Sequence, residues 1–216
     1  KRLVVSGGIV KEYGEADFLF LNDGKAVFRK SSWTDGRFLD PHGEPLREAP
    51  LDWGLSAAFH DINHDGLPDL YVCNDFWTPD RFWINQGDAF KLLNPENFGK
   101  TSASSMGVDF SDYDRDGDVD LFVVDMLSRD LAMRKRQAPA QDLSDRLVNQ
   151  GKYADQVMRN TLLNNRGDGS FAELANLSGL SASDWSWSPV FLDVDLDGYE
   201  DLIITAGHYK DTQDLD

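Results

Sequence analysis

Asp61-Ile-Asn-His-Asp-Gly-Leu-Pro-Asp69, Asp112-Tyr-Asp-Arg-Asp-Gly-Asp-Val-Asp120 and Asp193-Val-Asp-Leu-Asp-Gly-Tyr-Glu-Asp201 align without a gap, and each reads D-x-[DN]-x-D-G-x-x-D. A repeat of this kind takes precedence over local propensity, because a unit too small to bury its own apolar face must stack on its neighbours. A strand-like run follows each copy: Leu70 to Cys73, Leu121 to Val124, and Leu202 to Thr205. Another β-prone run precedes each, around Ala57-Ala58-Phe59, Val108-Asp109-Phe110 and Val190-Phe191-Leu192.

A second element recurs beside the first. Phe18 to Gly24 leads to Phe28, Phe82 to Gly87 leads to Phe90, and Thr161 to Gly169 leads to Phe171. Apolar residues, then Asn and Gly, then an aromatic, form a β-hairpin signal. The unit therefore reads strand, Asp-rich loop, strand, connection, strand, Asn/Gly turn, strand. Four antiparallel strands per unit define an all-β fold of β-propeller blades. One blade is expected over 55–93 and a second over 106–174, with incomplete blades over 1–30 and 187–216. Arg2 to Val5 falls in a second-strand position. Open ends of this kind suit a segment of a larger propeller, or two part-blades that complete each other.

Within the second blade, a short helical insertion is expected near 127–158, where Leu131 to Arg136 and Leu143 to Val157 are rich in helix formers. Arg134 to Arg136 reads as a solvated helix face before it reads as a docking patch. Asp35 to Pro50, with its prolines and glycines, reads as a long surface loop.

The loop spacing carries the chemistry. Calcium takes six to eight oxygen ligands, and alternate residues of a tight loop aim side chains at one centre. The Gly at position 6 permits the sharp turn. The expected side-chain ligands are Asp61, Asn63, Asp65 and Asp69; Asp112, Asp114, Asp116 and Asp120; and Asp193, Asp195, Asp197 and Asp201. The position-7 carbonyls of Leu67, Asp118 and Tyr199 complete sets for about three Ca2+ per chain. An EF-hand would need Glu at position 12 and a following helix. Val72, Val123 and Ile204 stand there instead, inside β-prone runs. Zinc would recruit His or Cys. His64 sits at a non-ligand place, and His42, His60 and His208 show no paired spacing.

Composition narrows the function. A formal charge of −17 argues against nucleic acid. No apolar run is long enough for a transmembrane span. The single cysteine, Cys73, lies in the apolar run Leu70-Tyr71-Val72-Cys73 and reads as a buried small side chain.

The Asp-rich loops and the Asn/Gly hairpin from Asn164 to Phe171 together resemble FG-GAP/VCBS repeats, the units of integrin α-subunit propellers and of many bacterial surface proteins. Met158 to Leu162, Asp184-Trp185-Ser186-Trp187 and the insertion after Val124-Asp125-Met126-Leu127 are similar to bacterial relatives of cartilage acidic protein. The resemblance implies calcium in the loops and an extracellular, periplasmic or cell-surface setting. It implies no single enzymatic activity. The expected role is a calcium-binding module for a protein or glycan partner. Trp77, Trp83, Trp185 and Trp187 are candidate recognition aromatics, each with blade interior as the plainer reading and Trp187 the foremost core candidate. The alternative is a propeller-based polysaccharide lyase or hydrolase using paired carboxylates. No G-x-S-x-G, H-E-x-x-H or P-loop motif supports an enzyme.

Overall fold

The computed structural model describes residues 3–6, 9–75, 78–135, 137 and 155–208. The chain opens on two hairpins, β1 (Leu3–Ser6) with β2 (Ile9–Glu12) and β3 (Phe20–Asn22) with β4 (Phe28–Lys30). Next come β5 (Phe38–Leu39), β6 (Gly54–His60), β7 (Asp69–Asn74), β8 (Arg81–Asn85) and β9 (Phe90–Leu92). A 3-10 turn at Pro95–Asn97 leads to β10 (Lys100–Ser102), β11 (Gly107–Ser111) and β12 (Asp120–Val124). The last strands are β13 (Asp155–Val157), β14 (Thr161–Asn165), β15 (Phe171–Glu173), β16 (Ser186–Leu192) and β17 (Asp201–Ala206).

These strands form the expected antiparallel blades. One sheet runs β6-β7-β8-β9, with β5 added in parallel beside β9. The second runs β11-β12-β14-β15, and β16 pairs with β17 at the start of a third. Successive first strands lie side by side, β6 against β11 and β11 against β16. Gly107 makes the second approach possible, since a Cβ there would stand 2.7 Å from the Trp187 carbonyl oxygen.

Every residue of β7 and of β12 is buried, and the two-residue side-chain period divides each strand between two interfaces. Leu70 and Val72 join Phe38 and Trp83 on one face of the first blade. Tyr71 and Cys73 meet Leu121 and Val123 of the second. On the far side of β12, Phe122 and Val124 pack with Phe191, Leu202 and Ile204 of the third. Each blade is thus the second wall of its neighbour's core.

The other ends of β7 and β12 hold a buried polar seam. Asp80 accepts from the Tyr71 hydroxyl (2.7 Å), the Asn74 amide (2.8 Å) and the Ser105 hydroxyl (2.7 Å). Asp125 accepts from the Ser102 hydroxyl and from the Ser104 amide at 3.1 Å. Burial pushes Asp80 up to about 7 and Asp125 up to about 6. This seam fastens the serine-rich connection between the blades to both of them.

Several expectations need correction. Of the run expected in a second-strand position, Leu3–Ser6 pairs with Ile9–Glu12 in a sheet of its own, and Arg2 lies outside the described residues; in sequence the Gly7-Gly8 pair is a short-range hairpin signal. Asp35 to Pro50 is not wholly a surface loop. Its Phe38 is buried, with ring centroids 4.1 Å from Trp33, 5.2 Å from Trp83 and 5.7 Å from Phe90. A single aromatic framed by turn residues was enough to recruit an edge strand.

Of the expected insertion, residues 131–135 are helical. Asp130 caps them by accepting from the amides of Ala132 and Met133, both at 2.9 Å. Most of Leu143 to Val157 lies outside the described residues, but its end is the strand β13, paired in parallel with β10, rather than helix. Arg134 donates to the Ser128 carbonyl at 2.5 Å, which makes it a brace within the insertion; Arg136 lies outside the described residues. Among the described residues no helix is long and apolar enough to cross a membrane.

Candidate metal centres

The three Asp-rich loops join β6 to β7, β11 to β12 and β16 to β17, and all three close by the same hydrogen bonds. The position-1 carboxylate accepts from the position-6 glycine amide: Gly66 to Asp61 at 2.9 Å, Gly117 to Asp112 at 3.1 Å, and Gly198 to Asp193 at 2.9 Å. Position 3 accepts from the amide of position 5, at 3.1 Å in Asn63, 3.3 Å in Asp114 and 3.2 Å in Asp195. Position 5 accepts from position 7: Leu67 to Asp65 at 2.9 Å, Asp118 to Asp116 at 2.9 Å, and Tyr199 to Asp197 at 2.8 Å. Position 6 takes φ of 86°, 95° and 87° in Gly66, Gly117 and Gly198, where a side chain would be strained.

This backbone brace draws the side chains together. In the second loop Asp112, Asp114 and Asp116 each place a carboxylate oxygen within 4.8 Å of the others, and Asp193, Asp195 and Asp197 do the same in the third. Oxygens on one calcium sphere lie at most about 5 Å apart, twice the Ca–O distance, so each trio fits a single ion. In the first loop Asn63 takes the middle place, and its side-chain amide donates to Asp65 at 3.0 Å.

The position-9 carboxylates sit at the loop bases and accept from backbone amides there. Asp69 accepts from the amides of Ile62 (3.1 Å) and Asn85 (2.7 Å). Asp120 accepts from the Asn165 amide at 2.8 Å, and Asp201 from Val194 at 3.1 Å. Burial raises Asp69 to about 6 and Asp120 to about 7; the amides of Asn85 and Ile62, and of Asn165, oppose the rise, while neighbouring loop carboxylates add to it.

Two carboxylate oxygens of the second loop, Asp112 Oδ1 and Asp120 Oδ2, are buried without a hydrogen-bond partner. Such orphaned acceptors are expensive, and a hard cation is the group whose charge and oxygen preference would satisfy them. The donor set fits calcium on this ground.

Sequence reading missed the asparagines that fasten the loops to the next hairpin. Asn164 donates to Asp114 at 2.9 Å and to Asp120 at 3.2 Å, while Asn165 donates to the Val119 carbonyl at 3.1 Å. Asn85 does the same for Pro68 at 3.0 Å in the first blade. Their only signal was the Asn/Gly turn.

The candidate aromatics divide. Trp83 is fully buried and Trp77 lies outside the described residues. Trp187 is 47% exposed, contrary to its expected place in the core. A register shift between Ser186 and Ser188 turns it outward, and its indole N–H donates to the Gly207 carbonyl at 2.8 Å. Half-buried Trp185 stacks on His208, with centroids 4.0 Å apart.

Stacked four-stranded blades with an acidic loop after each first strand define a blade-repeat protein. The family model for the FG-GAP-like repeat matches residues 61–123 and 147–204, more than half of the chain. The chain belongs to the FG-GAP-like repeat family. No curated protein matches it.

Proposed function

We propose that this chain is a calcium-stabilised interaction module of an extracellular, periplasmic or cell-surface propeller, and that it carries no catalytic activity of its own. The two orphaned oxygens of Asp112 and Asp120, beside a trio of converging carboxylates, are the observation that supports the metal reading. The cation acts structurally, because each loop joins the first two strands of a blade and its position-9 residue grips either the following hairpin or the loop's own second residue. Holding the loop therefore holds the blade. Family membership supports the interaction role and the setting outside the cytoplasm. The exposed Trp187, with Trp185 and His208, offers an aromatic surface to a protein or glycan partner.

Titration of metal-stripped protein with calcium, by calorimetry and thermal unfolding together, tests the metal role. Binding only to the folded state stabilises it by about 2.7 kcal/mol per site at a hundredfold excess over Kd. About three calcium ions per chain with a matching rise in Tm is the expected result. No binding at millimolar calcium would refute it. Turnover of an acidic polysaccharide by the purified protein would refute the non-catalytic reading.

A further inference from the structure

Position 4 of each loop stands outside the ligand pattern, yet it reaches the neighbouring loop. His64 Nε2 lies 2.9 Å from the carbonyl oxygen of Gly117, position 6 of the second loop. The Arg115 guanidinium lies over the Tyr199 ring, 4.4 Å from its centroid, and beside Gly198, where a Cβ would come within 3.3 Å of it. Position 4 of one loop thus meets position 6 or 7 of the next, twice in succession. His64, Arg115 and Leu196 all hold left-handed φ, at 57°, 63° and 63°. That conformation is costly for residues with a Cβ, and it recurs between the two inward-turned side chains at positions 3 and 5. In the last loop Leu196 repeats the conformation and is 85% exposed.

We propose that His64 and Arg115 are positioning residues that couple the loop cation sites in series, so that ordering one loop strengthens binding at the next. The inference rests on the calcium reading of the loops. Neither residue is a ligand. When positions 3 and 5 of the first loop are fixed, His64 is fixed between them and restrains the Gly117 peptide, whose amide orients Asp112. Fixing Asp114 and Asp116 likewise fixes Arg115, which braces Tyr199, the position-7 residue of the third loop, and Gly198, whose amide orients Asp193. The coupling is reciprocal by thermodynamic necessity.

The test is a calcium titration of glycine-labelled protein by NMR, reading the amides of Gly66, Gly117 and Gly198 as reporters of the three loops. Asp116→Ala empties the second loop, and its effect on half-saturation of the third is compared in the native and Tyr199→Leu backgrounds. Tyr199→Leu keeps every charge and the position-7 carbonyl, so the comparison isolates the contact from electrostatics. Both altered side chains are exposed, and far-UV circular dichroism checks folding. The expected result is that the Asp116→Ala effect differs between the backgrounds by about two- to fivefold, the size of one exposed cation–π or hydrogen-bond contact. Arg115→Ala should weaken the third loop, and Arg115→Lys should restore part of the loss. Charge alone would act the other way, because removing a cation from an acidic site favours calcium. Equal effects in both backgrounds would overturn the coupling while leaving calcium binding intact. If none of the three amides responds to calcium, both the calcium reading and the coupling fall.

Discussion

Asp120→Asn should change the sign of its effect on stability when calcium is added. Asp120 is fully buried, and in the metal-free protein that burial pushes its carboxyl up to about 7 from an ordinary 3.8. Its folded value lies above its unfolded one. The penalty is therefore absent below about pH 4, grows as the pH rises toward 7, and is complete by about pH 8. About 3 pH units correspond to about 4 kcal/mol. Burial is the main cause of that rise, but the exposed loop carboxylates beside Asp120 bring solvent that screens part of it, leaving about 2 kcal/mol. Asparagine removes the charge and retains an acceptor for the Asn165 amide. Metal-free Asp120→Asn should thus melt about 4–8 °C above the parent at pH 8, at about 2–4 °C per kcal/mol for a chain of this size. With saturating calcium the variant lacks both a ligand and a repulsion for the ion to relieve. With calcium about a thousandfold above Kd, loss of that site removes about 4 kcal/mol of stabilisation, leaving the variant about 2 kcal/mol less stable than the parent. Thermal unfolding in chelator and in millimolar calcium reads both arms. A variant destabilised equally in the two conditions would show that Asp120 is only a hydrogen-bond acceptor, and the cation argument would fail.

Other outcomes follow from the interior. With calcium saturating, the stability of the native protein should fall as the pH rises from about 5 to about 8, because Asp80 and Asp125 are held above the ordinary carboxylate range. Asp80→Asn should remove about 2 kcal/mol of that decline in urea unfolding, and parallel pH profiles would contradict this. Leu121→Ala empties a fully buried position between two blades and should cost about 2–5 kcal/mol; a loss under about 1 kcal/mol would mean that the blades barely support each other. Cys73 is buried and its thiol is pushed far up by burial, so labelling by a thiol reagent should proceed only at the rate of unfolding. Rapid labelling of folded protein would contradict its place in the core.

How much of this was legible depended on whether the signal was local. The Asp-rich loops carry their own folding instructions: glycine at position 6 and carboxylates that accept from amides two or five residues away. Such short-range chemistry can be read directly. The run from Leu121 to Val124 likewise announced a strand. Contacts across long separations left little trace. Asn164 meets Asp114 across 50 residues, and Phe38 joins Trp83 through an edge pairing that turn residues concealed. Trp187 misled because strand membership sets an alternation, while a register shift decides which side of it a residue takes. The Asp80–Asp125 seam was hidden for a similar reason: its serines, tyrosine and carboxylates are scattered along the chain and meet only once the blades are stacked.

The division of labour along β7 and β12 also bears on how such a chain can diverge. Alternate residues answer to different neighbours: Leu121 and Val123 face the blade before, and Phe122 and Val124 face the blade after. A blade transplanted between relatives need not be rewritten whole. Only every second residue of its central strand has to suit the new predecessor, and the intervening ones the new successor. Nearest-neighbour stacking of this kind makes stability a sum over adjacent pairs. Substitutions should therefore covary between alternate positions of consecutive blades, and a chimera that respects one parity should fail on one side only.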